Sequence, residues 1–261
     1  MKVVIFAGGL GTRISEETET RPKPMVEIGG KPVLWHIMKI YNHYGFNDFI
    51  ICLGYKGFVI KEYFMNYFLH NADLTIDVAS NKVEIHGAST EAFKVTLVET
   101  GANTKTAGRL QQIQKYTGAD DFMLTYGDGV ADIDIPALLA FHKKHKKIAT
   151  VTAVQLEARF GGMDLGPDGD VLSFREKVKD EGKWINAGFF VLSPKIFDYL
   201  KGDMSDMMWE DTPLERLTKD NQLSAYRHRG FWKPMDALRD KLELEKLWEN
   251  NQAKWRIWDK K

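Results

Sequence analysis

The chain has 261 residues, 44% apolar and 28% charged, a balance that excludes disorder, collagen-like repeats and a small disulfide scaffold. Lysine plus arginine equals aspartate plus glutamate at 36 each, which argues against a general nucleic-acid or membrane surface and leaves room for a local basic site. The one cysteine, Cys52, lies in the apolar run Phe49–Leu53 and reads as a buried thiol of a cytoplasmic protein.

Val3–Phe6 reads as a buried strand, too short for a signal peptide or a membrane span, and runs into Gly8-Gly9-Leu10-Gly11. Helical spacing predicts a helix over Pro32–Tyr44, stopped by Gly45, and Asp48–Leu53 reads as the next strand. An aromatic-rich helix is expected over Phe58–Phe68, then strands at Leu74–Val78, Lys82–His86 and Val95–Glu99. Gly108–Tyr116 reads as a helix, Phe122–Tyr126 as a strand ended by Gly127-Asp128-Gly129, Ile135–His145 as a helix and Ala149–Val154 as a strand. Within the helix Ile135–His145, His142 and His145 are expected on a solvated face. Later come strands at Val171–Phe174 and Ile185–Leu192, and helices at Asp211–Leu217 and Asp236–Trp248.

This alternation predicts an α/β fold: an open, mostly parallel, Rossmann-like sheet with helices on both faces and C-terminal strands and helices added to it. One domain is expected over 1–261, with parts at 1–154, 155–235 and 236–261. In the last part Leu238, Leu242, Leu247 and Trp248 are expected to face the core. Trp232, Trp248, Trp255 and Trp258 crowd the end of the chain, where they pin the tail to the body or form a subunit contact.

A glycine loop directly after the first strand stands where ligands bind in open α/β sheets. Its glycines allow close approach of backbone amides to phosphate. The Walker pattern is absent, and the dinucleotide pattern fails because Ile14 stands at the third glycine position. Alone, the loop is equally a tight turn. Its company sharpens it: Arg13 closes it, and Lys23 follows between Pro22 and Pro24, which should hold the lysine on a stiff, extended backbone. The loop amides, Arg13 and Lys23 together suit a polyanion.

The ordered set Ala7–Arg13, Pro22–Met25, Gly29–Pro32, Tyr126–Gly129 and Asn186–Phe190 resembles the sugar-1-phosphate nucleotidylyltransferase family. Within it, Lys31–Met38, Gly54–Gly57, Tyr126–Asp132 and Gly230–Asp236 are similar to the branch that forms CDP-glucose from CTP and glucose 1-phosphate. The likeness runs from Met1 to about Trp258. It implies Mg²⁺ as cofactor, CTP and a sugar 1-phosphate as partners, a homo-oligomer (a hexamer) and a place in deoxysugar and surface-polysaccharide synthesis. It makes 1–154 the nucleotide-binding half and 155–235 the sugar-binding half.

The resemblance also assigns residues. Phe6, Ala7, Gly8, Gly9, Leu10, Gly11, Thr12, Arg13 and Lys23 would face the nucleotide, with Thr104, Arg109, Gly127 and Asp128. Arg13, Lys23, Asp128 and Lys177 would be catalytic; Lys177, Asn186 and Gly188 would bind the sugar phosphate. Asp128 and Asp236 would hold the metal. Local chemistry offers plainer roles: a turn for Asp128, a helix cap for Asp236, a solvated helix start for Arg109, and loop or cap positions for Asp132 and Asp134. Val178, Ala187, Gly162 and Met163 depart from the family pattern on the sugar side, which leaves a different sugar phosphate or nucleotide as the alternative enzyme. A non-catalytic nucleotide-sugar sensor is the rival from another class, and the retained charged set argues against it.

Overall fold

A computed structural model of the chain describes residues 1–87, 91–155, 162–165, 170–175 and 183–259. Its centre is a seven-stranded sheet built from Lys2–Phe6 (β1), Asp48–Leu53 (β2), Lys94–Glu99 (β3), Phe122–Tyr126 (β4), Ala149–Gln155 (β5), Trp184–Leu192 (β6) and Leu223–Arg227 (β7). The strand order is β7-β5-β6-β4-β1-β2-β3. Only β6 runs against its neighbours, pairing antiparallel with β4 and β5. Val3, Val4, Ile5 and Phe6 are all buried, as expected of a central strand covered on both faces.

The two faces have separate cores. Val3 and Ile5 point into one, with Leu34, Ile37 and Tyr41 of helix Val33–His43 and with Leu244 and Trp255 near the C-terminus. Val4 and Phe6 point into the other, with Leu110 of helix Thr106–Gln112 and with Ile196 and Trp209. From β1 the chain steps outward to β2 and β3, then returns to β4 on the other side of β1. This reversal opens a crevice at the carboxyl ends of β1 and β4, the usual ligand position in such sheets.

Several expectations are corrected. The helix read over Phe58–Phe68 is two, Gly57–Met65 and Tyr67–His70, and that over Gly108–Tyr116 breaks at Ile113. The edge strand β7 was not foreseen; its residues alternate between half-buried and exposed, so no apolar run marks it. His142 is buried rather than solvated: its Nδ1 lies 2.9 Å from Thr150 Oγ1, while His145 is exposed. In helix Leu238–Glu249 the fully buried position is Leu244, and Leu242 is 57% exposed. The antiparallel ribbon Asp73–Asp77/Lys82–His86 has Leu74, Ile76, Val83 and Ile85 on one face, and Ile76, Val83 and Ile85 are exposed.

The C-terminal tryptophans pin the tail within the chain. Trp35, Trp248, Trp255 and Trp258 surround His36, with ring centroids 4.9–6.2 Å from its imidazole. The Trp255 indole N–H donates to His36 Nδ1 at 3.4 Å, so Nε2 carries the proton and donates to the Ile28 carbonyl at 2.8 Å. Burial pushes the His36 pKa down to about 4. A group whose folded pKa lies below its unfolded value resists the proton that the unfolded chain accepts. Stability contributed by neutral His36 is therefore present above pH 6.5 and lost as pH falls toward 4, by ~3 kcal/mol. Thermal melts between pH 7 and 4 should show this fall, and His36→Gln should make the fall smaller than in the wild type.

Candidate active site

β1 and β4 end side by side, where the Gly127 N–H donates to the Phe6 carbonyl at 2.9 Å. A Cβ on Gly127 would stand 2.7 Å from that carbonyl, so only glycine fits. Asp128 follows, and the chain enters a short antiparallel ribbon, Gly129–Ala131 against Trp232–Pro234. Gly129 pairs with Pro234, and the Met235 N–H donates to the Asp128 carbonyl at 2.8 Å. The ribbon thus brings Asp128 and Asp236, far apart in sequence, to the same end. Helix Leu238–Glu249 is capped at Ala237 rather than Asp236, and Asp240 accepts the N–H groups of Asp236 and Ala237 at 3.1 and 2.9 Å. That frees the Asp236 carboxylate.

Lys23 enters between the two acids. Its Nζ lies 2.7 Å from Asp128 Oδ2 and 2.7 Å from Asp236 Oδ1. The extended backbone expected here holds at Pro22, but Lys23–Met25 is a 3-10 turn. Pro24 has no N–H to offer and suits a first turn that needs none. Burial alone would lower the Lys23 pKa, yet Asp128 and Asp236 hold it above the ordinary lysine value. Burial likewise opposes the charge on Asp236, and Lys23 and Arg13 keep its pKa below the usual carboxylate range. Arg13 Nη1 stands 3.4 Å from Asp236 Oδ2, with its side chain 77% exposed.

The glycine loop forms the lip of this cluster. Gly11 takes φ +65°, and the Thr18 hydroxyl ties its carbonyl down at 3.1 Å. Gly9, Leu10, Thr12 and Arg13 are exposed, and among the described residues the N–H groups of Gly9, Leu10 and Gly11 donate to no backbone carbonyl. These amides are available to an anion. Phe6, Ala7 and Gly8 are buried and hold the loop from below.

Arg109 occupies neither of its expected positions, the nucleotide surface or open solvent. It is 4% exposed and lies beneath the loop. Its Nη1 donates to the Leu53 carbonyl at 2.8 Å and to Thr100 Oγ1 at 2.6 Å; its Nη2 donates to the Gly8 carbonyl at 2.9 Å. Among the described residues no carboxylate pairs with it. A Cβ on Gly54 would stand 2.6 Å from the Gly8 carbonyl, and one on Gly8 would displace this guanidinium from its acceptors. Thr104 is half-buried and packs its methyl against Gly108.

A cavity of about 210 Å³ opens beside Asp128 and Asp236, bounded by Tyr126, Asn186, Ala187 and Trp232. The Trp232 indole N–H donates to the Ala187 carbonyl at 2.8 Å. Asn186 Oδ1 accepts the Gly188 N–H at 2.7 Å, and Gly188, at φ +82°, leaves room for the Tyr126 ring. Sequence reasoning missed Glu210, which accepts from the Tyr126 hydroxyl and, at 3.0 Å, from the Thr106 hydroxyl, linking β4 to helix Thr106–Gln112. Glu210 sits in a loop with no motif around it. Burial and the Glu210 carboxylate push the Tyr126 phenol up, so it remains a donor. Asp134 caps helix Ile135–His145, and Asp132 binds the Phe231 N–H at 2.7 Å. Lys177, Val178, Phe160 and Gly161 lie outside the described residues.

A nucleotidyl transferase family model matches residues 2–249. The chain is 55% identical to glucose-1-phosphate cytidylyltransferase of Salmonella typhimurium, over 99% of this chain and all of that one. The chain belongs to the nucleotidyl transferase family. A probable glucose-1-phosphate cytidylyltransferase of Bacillus subtilis is 48% identical, again over 99% of this chain and all of that one. Among solved structures, a putative glucose-1-phosphate thymidylyltransferase of Bacillus anthracis shares the nucleotidyl transferase fold, with TM-score 0.69 over 95% of this chain and 94% of that one at 18% identity.

In this transferase the buried guanidinium fixes the loop that carries the family motif. Arg109→Met would remove one donor each from the Gly8 carbonyl, the Leu53 carbonyl and the Thr100 hydroxyl, leaving the carbonyls only the bonds from the Tyr55 N–H and from Thr100, at about 1–3 kcal/mol. A melting experiment should show that loss, and Arg109→Lys should recover little of it, because one ammonium cannot span the fork of acceptors.

Proposed function

We propose that this protein is a glucose-1-phosphate cytidylyltransferase, forming CDP-glucose and pyrophosphate from CTP and α-D-glucose 1-phosphate. The observation that carries the reading is the Lys23 ammonium shared by Asp128 and Asp236 between the glycine loop and the acceptor cavity. The full-length likeness to glucose-1-phosphate cytidylyltransferases supports the choice of base and sugar.

The two carboxylates suit a divalent cation. Among the described residues no third acid, histidine or cysteine joins them. Two carboxylates completed by phosphate oxygens are the usual Mg²⁺ arrangement, so Mg²⁺ is the cation we infer. When bound, it would neutralise charge on the nucleotide phosphates.

An oxygen of glucose 1-phosphate attacks the α-phosphorus of CTP in line. A new oxygen–phosphorus bond forms, the bond to the bridging oxygen breaks, and pyrophosphate leaves with the electron pair. The attacking phosphate is already an anion, so no strong general base is needed. The chain's part is positioning and charge. The amides of Gly9, Leu10 and Gly11 face the phosphates, Lys23 and Arg13 oppose the charge that builds on pyrophosphate, and Asp128 and Asp236 hold the cation. The sugar sits in the cavity at Asn186, Ala187 and Trp232, and Lys177 is assigned to its phosphate by family resemblance alone. Thr104 and Arg109 act through the shape of the loop and the nearby helix. The same reading takes the protein as a cytoplasmic homo-oligomer, and the bare apolar face of ribbon Asp73–Asp77/Lys82–His86 is a surface it offers.

Pyrophosphate release measured with each nucleoside triphosphate and glucose 1-phosphate tests the proposal. CTP should be used most efficiently, and Asp128→Asn and Asp236→Asn should each lower kcat/KM by roughly 10²-fold or more. The double variant should fall little further, since the two act as one unit. Faster turnover of dTTP than CTP, or full activity in either variant, would contradict it.

A further inference from the structure

Lys23 stands where a cation bridging the two carboxylates would have to stand. Its Nζ is 2.7 Å from one oxygen of each, and its side chain is only 12% exposed, against 32% for Asp128 and 37% for Asp236. The lysine stem rests on the glycine loop: a Cβ on Gly11 would lie 3.1 Å from Lys23 Cβ. The proline-framed turn fixes the stem's origin, so the ammonium's free movement is a short swing between the carboxylates and the loop.

Charge decides which position it takes. Asp128, Asp236, Lys23 and Arg13 carry two negative and two positive charges and sum to zero. A divalent cation added to this set alone leaves two uncompensated positive charges in a partly desolvated site, and it must also evict the ammonium. A nucleoside triphosphate brings enough negative charge to reverse that balance and gives the ammonium new partners.

We propose that Lys23 is an internal counter-ion that keeps a divalent cation from the Asp128–Asp236 pair until the nucleotide arrives, and is then exchanged onto the phosphates. This rests on the reading of the two aspartates as cation ligands. It assigns Lys23 two sequential partners. In the free protein it suppresses repulsion between the acids and preserves their geometry. In the loaded protein it becomes a phosphate ligand. Cation and nucleotide then bind with positive coupling, because each supplies what the other needs.

Mn²⁺ binding to the whole protein, followed by the electron paramagnetic resonance signal of the free ion, tests this without any turnover. The wild type should bind Mn²⁺ weakly alone and, after the Mn²⁺ held by CTP without protein is subtracted, much more tightly with CTP present. Lys23→Met should bind Mn²⁺ roughly tenfold or more tightly without nucleotide, because the competing ammonium is gone. Lys23→Gln, which keeps the length and can still hydrogen-bond, should do the same and guards against a packing defect. An affinity within about twofold of wild type in both variants would overturn the exchange. Adding Asp128→Asn to Lys23→Met should abolish the gain; a gain that survives places the ion elsewhere and also overturns it. Asp128→Asn alone separates the two readings: undiminished CTP-dependent Mn²⁺ uptake in that variant would defeat the cation-ligand assignment itself.

Discussion

The arrangement at the centre of this protein is one ammonium held by two carboxylates that the two strands of a ribbon bring to the same end. Asp128 follows a central strand and Asp236 precedes the last long helix. Neither would meet the other without the pairing of Gly129–Ala131 with Trp232–Pro234 and the bond from the Met235 N–H to the Asp128 carbonyl. Lys23 then bridges them at 2.7 Å on each side. An unpartnered charge at this depth would be costly, so the three groups depend on one another. The crevice between β1 and β4 gives the cluster its place, and the glycine loop gives it an exposed lip.

Beneath that lip lies a second cation with a different task. Arg109 has no carboxylate partner among the described residues and spends its donors on carbonyls and a hydroxyl. It supports the loop from the side away from the crevice and adds positive potential there. The two cations divide the work: Arg109 fixes the shape of the glycine loop, and Lys23 holds the two carboxylates together. Glu210 has a comparable joining role on the acceptor side, tying Tyr126 to Thr106.

Much of the fold was legible because central parallel strands are continuous apolar runs: Asp48–Leu53 and Phe122–Tyr126 have the bounds their sequence suggests. The edge strand Leu223–Arg227 lacks that signature because only its inner side is covered. His142 misled because its neighbours, Lys143 and Lys144, are charged, while a hydroxyl on the adjoining strand makes its burial possible. At the site, Lys23 was marked by its proline framing, whereas Asp128, whose flanking glycines equally suggest a turn, was picked out by family likeness. Asp236 was legible through family likeness, since its local chemistry equally suggested a cap. Arg109's burial and Glu210's bridge were illegible for one reason: each is defined by partners distant in sequence, and nothing beside them marks it.

If the Asp128–Asp236 pair is the cation seat, Lys23 must vacate it for the nucleotide phosphates. A crystal structure of the protein with CTP and Mn²⁺, with the metal located by anomalous scattering, tests this most directly. An anomalous peak between the two carboxylates, with the Lys23 ammonium swung onto phosphate oxygens, is the expected result. A peak away from these aspartates, or an ammonium still bridging them beside bound nucleotide, would contradict it.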